Sequence, residues 1–440
     1  MAKRVILGES GGPTPVIDWE VAGAVDAAQK AGWEVYGMIN GLEGLLNANI
    51  PGNIVDLSRI DPMSFAFNGP GAGLRTTRIK PKDDQYKKMA DNLKLLGINA
   101  VIYFGGNDSA DQLLGLSKLA EASFIHGIKT VDNDLPKTHH CPGFGSAALF
   151  NAVAIKNVNS DFSSYRVKGN FEIDGKVVQG WDTAPVAVYQ VMGRKAGWLA
   201  QATGFAKVDP AGIIDPGRPP QIILCKEVPF SKDEFLKKAD EIIGRLGEAV
   251  VVVQEDLTDA GTGKSIEDIY GEVVTKDEHG NVQHGRADSF SPALFLAQLL
   301  TKELKVKSVY GKVKDVALVP QHIQRSGMMS NVDAAEAFRV GAATVRALLD
   351  GLTKKSVILT RDCGRTYTGI TDLSDIAAKE RTVPMDYIKR LDGPTQDFVD
   401  EFIYLIGGPV AVPHYSRVPF GPVAVPQQIA AQPYIKPKKK

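Results

Sequence analysis

Two segments of the chain combine the residue types that phosphoryl chemistry uses. The first is Val101-Ile102-Tyr103-Phe104-Gly105-Gly106-Asn107-Asp108-Ser109, and the second is Lys129-Thr130-Val131-Asp132-Asn133-Asp134. Paired glycines after an apolar run let a backbone pass close to a ligand while polar groups are presented beside it. In the second segment two carboxylates stand two residues apart, just downstream of a lysine. A fixed carboxylate can take the proton of an attacking hydroxyl, and an ammonium can balance charge on phosphate. Taken alone, Asp132 would read as a turn residue or helix N-cap. Together the two segments read as a phosphoryl-transfer centre.

A third segment, Gly8-Glu9-Ser10-Gly11-Gly12-Pro13-Thr14, follows the first apolar run. Its bare N–H groups at Gly11 and Gly12 would lie near a helix N-terminus, where an anion is favoured. It lacks the Gly-Lys-Ser/Thr ending of a P-loop and the spacing of a dinucleotide fingerprint.

The elements that must hold these loops follow a βα rhythm. Strands are expected at Val5–Leu7, Val35–Ile39, Val101–Phe104, Ser123–Lys129, Val186–Met192, Gln221–Cys225, Ala249–Gln254 and Asp315–Val319. Amphipathic helices are expected at Asp18–Lys30, Asp84–Leu96, Ser231–Leu246 and Ala334–Leu349. Such alternation predicts an α/β fold with mainly parallel sheets covered on both faces. Two polar stretches, Asp161–Asp182 and Asp256–Asp288, read as a surface hairpin and a loop elaboration, since neither has the apolar residues to close a core. The Pro- and Lys-rich end, residues 411–440, reads as a solvated tail.

At 440 residues the chain exceeds the size of a single core, so two lobes are expected. Its 51 basic and 51 acidic residues balance, which argues against nucleic acid or an anionic membrane as the main partner. Cys141, Cys225 and Cys363 have no paired spacing and suggest neither a disulfide framework nor a zinc site. His139 and His140 likewise have no paired ligand spacing and read as solvent-facing or supporting residues. With no signal peptide and no long apolar run, the expected compartment is the cytoplasm.

Five segments in order resemble the phosphofructokinase family: Ser10-Gly11-Gly12-Pro13, Gly105-Gly106-Asn107-Asp108-Ser109, Lys129-Thr130-Val131-Asp132-Asn133-Asp134, Met192-Gly193-Arg194 and His322-Ile323-Gln324-Arg325. The resemblance covers roughly residues 4 to 350. It implies two similar Rossmann-like lobes with the active site in the cleft between them. The phosphoryl-donor lobe would be 1–155 plus 325–375, and the sugar-phosphate lobe 156–324 plus 376–410. By the same resemblance Asp132 accepts the proton of the 1-hydroxyl of fructose 6-phosphate, and Thr130 donates a hydrogen bond near the transferred group. Asp134 holds Mg²⁺, directly or through water, and Asp108 and Asn107 are the other candidate metal residues. Arg78, ending Gly71-Ala72-Gly73-Leu74-Arg75-Thr76-Thr77-Arg78, reaches the transferred phosphoryl group, while Arg75 is an extra phosphate contact or surface charge. Gly11 and Gly12 complete the donor-phosphate site with Arg78, Asp108 and Lys129. Met192, Gly193 and Arg194 face the sugar phosphate, Arg194 near the reacting centre. Glu227 accepts hydrogen bonds from sugar hydroxyls, and His322 and Arg325 grip the 6-phosphate.

The donor is read from Asp108. Within the family, glycine there leaves room for the ATP α-phosphate, and aspartate fills that space with negative charge. Lys129 is the weaker signal, standing where pyrophosphate-using relatives carry lysine. The implied reaction is reversible transfer from pyrophosphate to fructose 6-phosphate in glycolysis or gluconeogenesis. The alternatives are an ATP-dependent enzyme of the same fold and a catalytically poor sugar-phosphate-binding regulatory homologue. The last is motivated by Asn107, which stands where the family commonly has a metal-binding aspartate. Pro185 and Val316 occupy positions where bacterial ATP-using members have arginines reaching across subunits. This favours a homodimer, with a tetramer as the alternative.

Overall fold

The computed structural model describes residues 3–67, 71–163, 168–173, 176–181, 184–271, 290–304 and 313–410. In chain order its strands are β1 (Arg4–Glu9), β2 (Glu34–Met38), β3 (Ile54–Asp56), β4 (Ala100–Gly105), β5 (Ser123–Ile128), β6 (Lys168–Ile173), β7 (Lys176–Trp181), β8 (Ala184–Val191), β9 (Ile222–Leu224), β10 (Ala249–Gln254), β11 (Val313–Leu318), β12 (Lys355–Asp362) and β13 (Arg365–Asp372). Contacts divide the chain into two compact units. The first contains the residues up to Phe150, His322–Thr382 and Tyr404–Gly407; the second contains Asn151–Gln321, Val383–Ile403 and the chain from Gly408.

The first unit is built on a sheet of order β13-β12-β5-β4-β1-β2-β3. Its interior pairs are parallel, and both edges are closed by antiparallel strands, β13 on β12 and β3 on β2. A parallel sheet covered on both faces needs strands that are apolar on both sides. β4, Ala-Val-Ile-Tyr-Phe-Gly, meets that demand and is buried at every position. β1 lies between β2 and β4, so the strand order reverses there. Crevices at the carboxyl ends of strands flanking such a reversal are where open α/β sheets receive ligands. The glycine loops after β1 and β4 stand at those ends.

Helices Ile17–Lys30 and Asn331–Leu349 pack on each other through two glycines. A Cβ on Gly23 would fall 2.0 Å from the Phe338 carbonyl oxygen, and one on Gly341 would fall 1.8 Å from the Glu20 carbonyl oxygen. Gly341→Ala is therefore expected to destabilise the protein. Alanine gains about 1 kcal/mol of helix propensity, whereas overpacking against backbone that cannot turn aside costs about 3 kcal/mol. A lowered urea midpoint for unfolding checks the sign; an unchanged or raised midpoint would show that the helices can separate freely.

The second unit holds an all-parallel sheet, β11-β8-β10-β9. β10, Ala-Val-Val-Val-Val-Gln, is buried throughout. Helix Lys232–Leu246 starts because the Ser231 side chain accepts the Glu234 N–H, and it stops at Gly247 with φ 73°. Helix Pro292–Glu303 is capped likewise by Ser291 and opens on proline.

Differences from the sequence expectation lie at the margins. The stretch Asp161–Asp182 contains the antiparallel hairpin β6–β7. The stretch from Asp256 includes a short helix, Ile266–Tyr270, and residues 272–289 lie outside the described ones, as does the tail 411–440. β3, β12 and β13 were not expected: β3 and the apolar part of β12, Val357-Ile358-Leu359, are only two or three residues long, and β13 alternates threonine with polar and apolar residues on an exposed edge. Residues 376–382, assigned from the sequence to the sugar-phosphate lobe, pack in the first unit.

Candidate active site

β1 and β4 end side by side. Ser10 N–H donates to the Phe104 carbonyl at 2.9 Å, and Gly11 N–H donates to the Thr77 carbonyl at 3.1 Å. Gly105 has no space for a side chain, since a Cβ would meet Ser109 Oγ at 2.1 Å. Behind it the fully buried His126 bridges the Gly105 carbonyl at 3.0 Å and Ser356 Oγ at 2.8 Å. Burial drives the His126 pKa down to about 3, so the ring is a neutral strut. Gly106 then opens helix Asn107–Leu116, with exposed Asp108 in its first turn, where the helix dipole favours negative charge. The Asn107 amide is committed on both sides. Its Oδ1 accepts the Asp108 N–H at 2.9 Å, and its Nδ2 donates to Glu380 Oε1 at 2.9 Å.

Lys129 follows β5 and crosses to the first loop. Its N–H donates to the Gly105 carbonyl at 2.9 Å, and its Nζ donates to the Gly12 carbonyl at 2.7 Å. Burial lowers its pKa to about 8; Arg325 and Arg78 push the same way, while Glu20 and Glu9 oppose. Glu9 and Glu20 are themselves fully buried, and burial holds both carboxyls well above the usual range. Glu9 Oε2 accepts the Leu74 N–H at 2.8 Å, and Asp18 Oδ1 accepts the Gly73 N–H at 2.6 Å. These two bonds shape the loop that ends at the exposed Arg78; Arg75, with φ 57°, is exposed as well.

Residues Gln321–Arg325 form a tight turn in which Arg325 Nη2 donates to His322 Nδ1 at 2.9 Å. Arg325 also covers Gly12, where a Cβ would meet its Nη1 at 2.5 Å. Burial lowers the His322 pKa, and Arg325 and Arg78 lower it further. Lys129 and His322 thus each feel the charges of both Arg78 and Arg325 within a single unit. Positive groups gathered in this way favour an anion.

The Asp132 loop is held from several directions. Asp132 N–H donates to Thr130 Oγ1 at 3.1 Å, and Thr130 N–H donates to the Pro142 carbonyl at 3.2 Å. Asn133 takes φ 54° and accepts the Cys141 N–H on its Oδ1 at 3.0 Å. Asp132 is half-buried and Asp134 is buried. Further along, His139 N–H donates to the Leu359 carbonyl of β12 at 2.7 Å. His140 is fully buried, with Nε2 2.6 Å from Glu336 Oε2 and Nδ1 2.8 Å from His139 Nδ1. The histidine pair supports this loop from inside, and His140 does not face solvent.

Arg381 and Glu380 are the residues that sequence reasoning missed. Arg381 Nε donates to the Asn133 carbonyl at 3.1 Å, and its Nη2 donates to Asn133 Oδ1 at 3.0 Å and to the His139 carbonyl at 2.8 Å. Its Nη1 donates to the Thr138 carbonyl, and its backbone N–H donates to the Asp134 carbonyl at 2.8 Å. Lys379-Glu380-Arg381 has the look of a charged surface run, and nothing in the sequence singles it out.

The second unit carries the remaining expected residues. Met192 is buried, Gly193 takes φ 111°, and Arg194 is half-buried. Lys226 Nζ donates to the Arg194 carbonyl at 3.2 Å and to Asp256 Oδ2 at 2.5 Å. Glu227 accepts the Gly197 N–H at 2.9 and 3.1 Å on its two oxygens, and the Val383 N–H at 2.9 Å. The side chains at 185 and 316 lie outside those described.

A family model described as phosphofructokinase matches residues 4–348. The chain belongs to the phosphofructokinase family. Among curated phosphofructokinase relatives, the pyrophosphate–fructose 6-phosphate 1-phosphotransferase of Rhodospirillum rubrum is 33% identical over 397 residues, 88% of this chain and 89% of that protein. The enzyme of the same name from Xanthomonas campestris is 31% identical over 405 residues, 88% of this chain and 87% of its own. Among solved structures, the pyrophosphate-dependent phosphofructokinase of Marinobacter aquaeolei superposes with a TM-score of 0.74 at 28% identity, covering 93% of this chain and 92% of the other. The two mainly parallel sheets found here are those of the phosphofructokinase fold.

Proposed function

We propose that this chain reversibly transfers a phosphoryl group from pyrophosphate to the 1-hydroxyl of fructose 6-phosphate, giving fructose 1,6-bisphosphate and orthophosphate. Relatives bearing that activity align over most of the chain. The observation that carries the reading is Lys129, whose buried ammonium bonds the Gly12 carbonyl within reach of the charges of Arg78 and Arg325. Asp132 is the base for the 1-hydroxyl, and Thr130 donates a hydrogen bond beside it. Arg78 and Arg194 stabilise charge on the transferred group. Gly11, Gly12 and Lys129 bind the donor phosphates, while Asp108 excludes a nucleotide. Met192, Gly193, Glu227, His322 and Arg325 bind the sugar phosphate.

Among the described residues no three His, Cys, Asp or Glu side chains gather to hold a metal by themselves. Magnesium needs only one or two carboxylates when phosphates and retained waters fill its shell, and the buried Asp134 with the exposed Asp108 fits that demand. When bound, the ion would offset charge on the phosphate oxygens. No described helix is long and apolar enough to cross a membrane. The reading is of a cytoplasmic homodimer.

The test is a donor assay on the purified protein. Mg²⁺-dependent turnover with pyrophosphate and little with ATP is expected; strong ATP turnover with none from pyrophosphate would overturn the reading. Tight fructose 6-phosphate binding without turnover from either donor would point to a regulatory protein.

Lys129 adds a pH signature. Its ammonium is present below pH 8 and lost above it. On the alkaline side kcat/KM for pyrophosphate should fall about tenfold per unit of pH, because that ratio reports groups of the free enzyme. Lys129→Arg should move this limb to higher pH. Between about pH 8 and 10.5 the folded chain binds fewer protons at this residue than the unfolded one, so its contribution to stability rises there. Unfolding at Lys129 therefore cannot mimic the loss. An activity flat to pH 10 would remove Lys129 from the donor site.

A further inference from the structure

Asn107 stands in the donor loop and Asn133 in the base loop, and both are held by one short segment after β13. The Ala378 N–H donates to the Asn107 carbonyl at 3.4 Å, Glu380 accepts the Asn107 amide at 2.9 Å, and Arg381 grips the backbone from Asn133 to His139. Ala378 holds φ 53° to make the turn. We propose that residues 378–381 are a positioning strap that sets Asp132 against the donor phosphates, with Asn107 as its anchor. This rests on the phosphoryl transfer proposed above.

The strap explains a residue the chemistry of a metal site would not choose. An aspartate at 107 would face the Glu380 carboxylate at hydrogen-bond distance, and like charges there would repel. An amide supplies the donor that Glu380 needs while its oxygen accepts the Asp108 N–H. Arg381 acts on the other side. It donates to one side-chain and three backbone oxygens of a loop whose Asn133 is held at positive φ. A guanidinium suits this because its five donors have fixed directions, which an ammonium lacks. Asn133 neighbours Asp132, so a displacement of this loop would move the base.

Kinetics of the full-length chain with pyrophosphate and Mg²⁺ test the strap, with the unfolding temperature of each variant measured alongside. If the parent does not turn over, the proposed function falls. If it does, Arg381→Gln should lower kcat about a hundredfold, as misplacing a reacting group by an ångström does. Its KM for fructose 6-phosphate should stay within about threefold, since the sugar contacts are left in place. Arg381→Gln with parental kcat would overturn the proposal. Should that variant not fold, the exposed pair decides. Asn107→Asp should lower kcat about tenfold, and adding Glu380→Gln should restore most of it, because the new amide donates to the new carboxylate. A double variant no better than Asn107→Asp would overturn the anchor role. So would an Asn107→Asp protein that half-saturates at lower Mg²⁺, as a metal ligand would.

Discussion

Replacing Asp132 by asparagine is expected to lower kcat by about 10²–10⁴-fold, the range over which a positioned general base contributes. The substitution keeps shape and removes the proton acceptor. KM for fructose 6-phosphate should change little, because the lost interaction is made as the hydroxyl attacks rather than when the sugar binds. The fold should not suffer. Asp132 is half-buried, and the bond at 3.1 Å to Thr130 Oγ1 comes from its backbone N–H, which the variant retains. The loop also keeps its hold through Asn133, Thr138 and His139. Steady-state rates in both directions, compared with the unfolding midpoint, check this. A kcat within tenfold of the parent would mean that another group takes the proton.

The second large effect is a change of donor. Asp108→Gly should lower pyrophosphate turnover and admit ATP. Two unit charges 4 Å apart repel by about 1 kcal/mol in water and about 4 kcal/mol at an effective dielectric of 20. These limits correspond to about fivefold and a thousandfold in affinity. Asp108 is exposed in the first turn of its helix, which argues for the lower half of that span. Removing the carboxylate also leaves the helix N-terminus free for a phosphate, an arrangement that favours anions without further help. A gain in ATP affinity of about tenfold or more is expected. An affinity for ATP equal to the parent's would show that Asp108 is not the gate.

Much of the scaffold was legible because burial on two faces leaves a plain mark. β1, β4, β8 and β10 are short apolar runs, and the helices between them carry a polar face or a capping serine. The glycine loops could be read too, since Gly105 stands where no Cβ fits and Gly12 lies directly under the Arg325 guanidinium. Polar side chains at work inside were not legible. Glu9, His126 and His140 are fully buried polar side chains bonded to groups far along the chain, the Leu74 N–H, Ser356 and Glu336. Glu380 and Arg381 show the limit most plainly. Arg381 bonds to residues more than 240 positions earlier, and no local pattern in a charged run records that pairing. The same blindness misplaced residues 376–382 between the lobes.

The order of strands in the first sheet also bears on how the protein is made. β5 pairs with β4 on one side and with β12 on the other, and β12 begins at Lys355. During synthesis the whole of 151–321 leaves the ribosome before β12 can cover that edge. Until then β5, apolar and fully formed, would present an open row of backbone donors and acceptors, a template for pairing with another nascent chain. Chains interrupted before residue 355 would therefore be prone to aggregate, and a chaperone that shields this edge would raise the yield of the complete protein.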